Sequence, residues 1–168
     1  MRKLLVSLVI GVFLAATTVV LAQGSSKSPL PKDKVGLGVK VGASGGNGIS
    51  AAYAIQENVH IGTGLGLGFL TETSEAANDG GLVLNFNPFF RYIMTNEANL
   101  FPYVEVNFMF TDNPYGSRSS ANVELGGFWF PFSTVSVRGG VTSLSYDIDT
   151  SQLGIGVLTP FIGIDWWL

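Results

Sequence analysis

From residue 35 onward, apolar and polar side chains alternate with period two in one segment after another, and every charge inside those segments falls on the same side. VGLGVKVGA (35–43) sets Val35, Leu37, Val39 and Val41 against Gly36, Gly38, Lys40 and Gly42. VHIGTGLGLGF (59–69) sets Val59, Ile61, Leu65, Leu67 and Phe69 against His60 and four glycines. Period two is the repeat of a β-strand, whose successive side chains point to opposite faces. No window carries helical periodicity.

Turn residues divide this pattern into eight strands: 35–43, 49–56, 59–69, 82–93, 100–110, 121–130, 135–144 and 153–168. The connections alternate in length. Glu57-Asn58, MTNEAN (94–99) and PFST (131–134) are short; TETSEAANDGG (71–81), TDNPYGSRSS (111–120) and SYDIDTSQ (145–152) are long and polar. SGGNG (44–48) is short where a long loop belongs.

One face carries Val, Leu, Ile, Phe, Tyr and Trp. The other carries Lys40, His60, Asn85, Arg91, Glu105, Asn107, Glu124, Arg138 and Asp165. Its six charges balance, three of each sign. Only 12% of residues are charged, against about 25% in soluble domains, so there is too little charge to coat a surface facing water. A soluble lipocalin-like barrel would be apolar inside and polar outside; this pattern is the reverse. The composition predicts an apolar outer wall in lipid and an ionic network within. Hydrocarbon forbids open sheet edges, so the sheet has to close, and eight strands leave an interior that side chains can fill. Phe101, Tyr103, Phe128 and Phe130 count onto the inner face, which a bulge near Pro131 or aromatic packing at one rim would accommodate.

The first 22 residues read as a cleavable signal peptide, with Arg2 and Lys3 before an apolar core and Val20-Leu21-Ala22 before the cut. Residues 23–34 form a polar leader expected to be disordered, and 35–168 the barrel. Cysteine is absent, which excludes disulfides, thiolate metal sites and lipid attachment through an N-terminal cysteine. The formal net charge of −3 does not point to nucleic acid.

Chemistry-bearing motifs are sparse. GTGLGLG (62–68) lacks the spacing, helix and lysine of phosphate-binding loops, and reads as wall glycines. His60, the only histidine, falls on the inner face near a short turn, far from a lipid substrate at the loop end. Asp147 and Asp149 have the spacing of part of a calcium loop without the rest. The long loops hold Glu72, Glu75, Asp79, Asp112, Asp147 and Asp149 against Arg118, a set suited to solubility or to cations bridging lipid phosphates. No catalytic, metal or cofactor site is expected.

The chain's end, TPFIGIDWWL (159–168), alternates Pro160, Ile162, Ile164, Trp166 and Leu168 with Gly163 and Asp165. Tyr92, Trp129 and Trp166 fall toward the short-turn end of their strands, the depth at which aromatic rings collect at a membrane interface. With these residues the chain resembles the small eight-stranded outer-membrane barrels of the OmpA and OmpX type, over residues 35–168 and the signal peptide. The resemblance implies an all-β, eight-stranded antiparallel up-and-down transmembrane barrel in a bacterial outer membrane. Ile162, Ile164, Trp166 and Leu168 match the family's C-terminal assembly signal, read by the barrel insertion machinery, although Leu168 stands where phenylalanine is usual. The expected partners are outer-membrane lipid, lipopolysaccharide and that machinery. The expected state is a monomeric barrel without the peptidoglycan-binding module of some relatives. The role implied is non-enzymatic, structural or surface-interacting; a narrow channel and a lipid-modifying enzyme are the alternatives.

Overall fold

The computed structural model describes residues 32–42, 47–70, 81–94, 100–113 and 116–168. The expected signal peptide, residues 23–31 of the leader and the loop residues Glu72, Glu75 and Asp79 lie outside the described residues. The described residues form eight strands: β1 (Val35–Gly42), β2 (Gly48–Gln56), β3 (Val59–Leu70), β4 (Gly81–Ile93), β5 (Leu100–Asn113), β6 (Gly116–Phe132), β7 (Val135–Asp147) and β8 (Gln152–Trp167). Each pairs antiparallel with the next, and β1 pairs with β8, so the barrel closes. Every strand therefore has two neighbours and no edge is left.

The ladder turns the alternation into two walls. Leu37, Val39, Ile49, Leu65, Leu67, Phe86, Ile162 and Ile164 are all exposed on the outside. On the lumen side, Arg91, Glu105, Glu124, Arg138 and Asp165 are buried. Turn residues Glu57, Asn58, Ser133 and Thr134 mark one end of the barrel, called here the turn end.

Two polar segments expected as long loops are largely strand. Residues 111–113 continue β5 and residues 116–120 belong to β6, pairing Thr111 with Arg118, Asp112 with Ser117 and Asn113 with Gly116. Ser117 Oγ donates to Asp112 Oδ1 at 2.8 Å across this hairpin. Likewise β7 continues to Asp147 and β8 starts at Gln152, which shortens the seventh connection to 148–151. These stretches carry polar residues on both faces, so the backbone ladder persists after the apolar alternation has stopped. Asp33 and Lys34, counted with the leader in the sequence, are also held: Asp33 N–H donates to Ala54 O, and Ala54 N–H donates to Lys34 O.

The β6–β7 register shifts between Trp129 and Phe132, spanning Pro131, which has no N–H to give the ladder. The expected bulge lies there. A second shift leaves Ser143 out of the pairing, and its hydroxyl donates to Val123 O at 3.1 Å.

Inner-wall glycines make room for large side chains. A Cβ at Gly126 would lie 2.5 Å from Gly139 O and 2.8 Å from the Tyr103 ring. A Cβ at Gly154 would meet nothing closer than Ser145 O at 3.5 Å. Gly126→Ala is therefore expected to destabilise the folded barrel by about 1–3 kcal/mol, and Gly154→Ala by no more than about 0.5 kcal/mol. Urea unfolding of both variants in detergent micelles, followed by tryptophan fluorescence, makes the comparison.

Candidate functional site: the ion-paired lumen

Six charges enter the lumen from six strands and meet as three pairs. Lys40 on β1 pairs with Glu124 on β6 at 2.5 Å. Arg91 on β4 pairs with Glu105 on β5 at 2.6 Å. Arg138 on β7 pairs with Asp165 on β8 at 3.0 Å. Arg91 and Glu105 are direct ladder partners, so their pairing follows from register. Lys40 and Glu124 come from strands that are not neighbours, so their pair crosses the barrel.

Glu105 and Glu124 are themselves direct ladder partners. Like charges set opposite one another destabilise a sheet, and burial strengthens the repulsion. The surrounding groups answer it. Asn107 Nδ2 donates to Glu105 Oε1 at 3.3 Å and to Glu124 Oε1 at 3.1 Å, bridging the two carboxylates. Asn122 Nδ2 in turn donates to Asn107 Oδ1 at 3.1 Å, which fixes the amide's orientation. Arg91 Nε adds a 2.8 Å hydrogen bond to Glu105 Oε2.

Below this cluster, toward the turn end, the lumen is filled with aromatic rings. Ile93, Phe101, Tyr103, Phe128 and Trp167 form one buried cluster with Phe130 packed against it, and Phe161, beside Lys40, extends it toward the loop end. The Arg91 guanidinium lies 4.7 Å from the Phe89 centroid, 5.3 Å from Tyr103 and 5.0 Å from Phe128. A guanidinium is weakly hydrated and stacks well on ring faces, so the cation is held between its carboxylate and the rings. The inner-face aromatics noted in the sequence are this packing.

The remaining residues singled out in the sequence divide as follows. Asn85 lies apart from the ionic cluster and accepts a 2.7 Å hydrogen bond from Thr111 Oγ1. His60 is fully buried against the Trp167 ring, 5.0 Å between centroids, and neither ring nitrogen has a hydrogen-bond partner among the described residues. It is therefore not part of a hydrogen-bonded network as expected. The ring packs against an indole, and its ladder partner is the cation Arg91. Trp129 and Trp166 are half exposed on the outer wall, and Ile162, Ile164 and Leu168 share that exposure. Tyr92 departs from the expected interface position: it is only 9% exposed. Alternation lapses over the end of β4, where Arg91, Tyr92 and Ile93 are all buried.

Trp167, Phe89, Phe161 and Ser136 also build the lumen, and the sequence reading did not single them out. Trp167 Nε1 donates to Ser136 Oγ at 2.9 Å. The same count that sends Asp165 inward sends Trp167 and Phe161 inward too, so parity alone held that signal.

The class is thus a closed eight-stranded antiparallel barrel with an apolar outer wall and an ion-paired, aromatic-filled lumen. Neither a family model nor a curated protein matches the chain by sequence. Among solved structures, it is similar to the N-terminal β-barrel domain of Pseudomonas aeruginosa OprF, with a TM-score of 0.58 at 12% identity, over 83% of this chain and 100% of that domain. At that identity the likeness is one of fold.

Removing one partner of a buried pair leaves an uncompensated charge, which destabilises by about 3–5 kcal/mol. Arg138→Ala is expected to lose that much, whereas Arg118→Ala, at an exposed hairpin position, should leave stability nearly unchanged. Thermal unfolding of both variants in detergent makes the comparison, and equal midpoints would contradict the pairing.

Proposed function

We propose that the chain is an integral outer-membrane barrel protein, non-enzymatic, with a structural or surface-interacting role exercised through the loop end. The observation that carries this reading is the inversion of its two walls. Large apolar side chains such as Leu67, at 66% exposure, and Ile49, at 62%, cover the outside, while Arg91, Glu105 and Arg138 are no more than 2% exposed. A contiguous apolar surface of this extent has no stable place in water, and a closed barrel is the β-architecture that hydrocarbon permits. The likeness to the OprF barrel supports an outer-membrane setting. The outward exposure of Trp129 and Trp166 supports a role as interfacial rings, and that of Ile162, Ile164, Trp166 and Leu168 supports their role as an assembly signal for the insertion machinery. The signal peptide expected over residues 1–22 accounts for export, and lipopolysaccharide and membrane lipid are the surroundings.

Catalysis through His60 finds no support: among the described residues neither ring nitrogen has a hydrogen-bond partner, and the ring is buried against Trp167. A passive channel would require the Arg91, Tyr103 and Phe128 packing to move aside.

Two measurements test the reading. Unboiled protein in detergent should migrate differently on a gel from boiled protein, as a folded barrel does. Reconstituted in a planar bilayer, it should give no steady conductance steps. Protein that stays in solution without detergent would overturn the membrane assignment; regular open steps would overturn the plugged lumen and favour the channel.

A further inference from the structure

Toward the loop end, the inner wall of β5 to β8 changes from rings to small polar side chains. Two ladder rows cross these four strands. One runs Asn107, Asn122, Ser145 and Gly154; the row beneath it runs Glu105, Glu124, Thr142 and Thr159. Apart from Glu105, all of these border a cavity of about 200 Å³, together with Lys40, Asn87 and Ser143. Met109, Leu144 and Phe161 add apolar surface to it. Ser145 and Gly154 stand two residues from the last pair of their hairpin, Asp147 with Gln152, which puts the cavity at the loop end.

Three features of the lining narrow the ligand. First, its two charges, Lys40 and Glu124, are matched to each other. An added anion or cation would have to compete for one member of a pair already made. Second, the other polar groups are amides and hydroxyls, which together donate and accept. Ser143 is committed to Val123 O. Thr142 and Ser145 are half-buried, and among the described residues no side-chain hydrogen bond holds either hydroxyl. Neither hydroxyl is among the sealed polar atoms of the lumen. A wholly apolar ligand would strip such groups of water and put nothing in its place. Third, packing does not require the space to be empty of side chain. A Cβ at Gly154 would meet nothing nearer than Ser145 O at 3.5 Å, whereas one at Gly140, lower on the same wall, would collide with Leu125 O. The volume, about 200 Å³, is below the roughly 300–1,000 Å³ of drug-sized sites. At ~30 Å³ each, it holds on the order of six waters.

We propose that the loop-end lumen binds a neutral, polyhydroxylated molecule no larger than one monosaccharide. Its hydroxyls exchange hydrogen bonds with the amide and hydroxyl rows, and its C–H groups lie against Met109 and Phe161. The Lys40–Glu124 pair stays intact at the floor of the site and disfavours charged relatives of the ligand. The site goes beyond the envelope role above and lies within the lumen, so a failure to bind leaves the membrane assignment untouched.

The test is a titration of the refolded protein in detergent micelles with D-glucose, read from the side-chain amide resonances of Asn107 and Asn122. Sodium gluconate and glucosamine hydrochloride carry the same carbon chain with a charge, and sucrose is a neutral polyol too large for the cavity. Saturable shifts with glucose are expected, with affinity at least tenfold weaker for the other three. Gly154→Val fills the cavity without removing a polar partner, and should weaken glucose binding at least tenfold at an unchanged thermal midpoint. Thr142→Val removes one hydroxyl at nearly constant shape and should weaken it at least threefold. Absence of saturation, equal affinity for sucrose or for either charged relative, or full affinity in folded Gly154→Val would each overturn the proposal. Should Gly154→Val not fold, full affinity in Thr142→Val overturns it instead.

Discussion

A strand in a closed barrel has one wall that meets the surroundings and one wall that meets only other side chains. Any charge on the second wall has to find its partner among groups carried by the other strands. Here that constraint falls hardest on Glu105 and Glu124, buried side by side in one ladder. Their coexistence requires Arg91 beside one, Lys40 across the lumen from the other, and the Asn107 amide between them. Register, strand closure and the choice of inner-wall residues are tied together at this point. A slip of one residue in any of these strands would turn its charge outward.

The aromatic cluster is the second half of the same solution. Inner-wall glycines, such as Gly126 against Tyr103 and Gly62 against Phe89, give up side-chain volume so that neighbouring strands can supply large rings. The rings lower water access around Arg91 and make its pairing with Glu105 stronger than it would be in water. The lumen therefore divides into a dry, ring-filled part toward the turn end and a polar upper part bordered by Lys40, Asn87, Asn107, Asn122 and Glu124.

Much of this was legible in the sequence because a period of two maps directly onto two walls. The facing of Lys40, Arg91, Glu105, Glu124, Arg138 and Asp165 needed only counting, and every strand but β6 starts within one residue of its expected position. Pairing partners were not legible, because Lys40 and Glu124 meet across the lumen rather than along a ladder. The β5–β6 hairpin above Phe110 was missed because polar residues on both faces leave no alternation, although the backbone ladder continues to Asn113 and Gly116. Tyr92 was misplaced because counting assumes a regular strand, and the last three residues of β4 are buried without regard to parity. His60 was counted inward, but counting cannot tell a hydrogen-bonded inner residue from one pressed dry against Trp167.

The inversion of the two walls is measured most directly by spin labels placed singly at Val39, Leu65 and Ile164 on the outer wall, with the protein reconstituted in lipid vesicles. Collision rates with dissolved oxygen and with a water-soluble nickel chelate then report the surroundings of each site. The account predicts high oxygen and low chelate accessibility at all three. High chelate accessibility at these positions would place the apolar wall in water and contradict it.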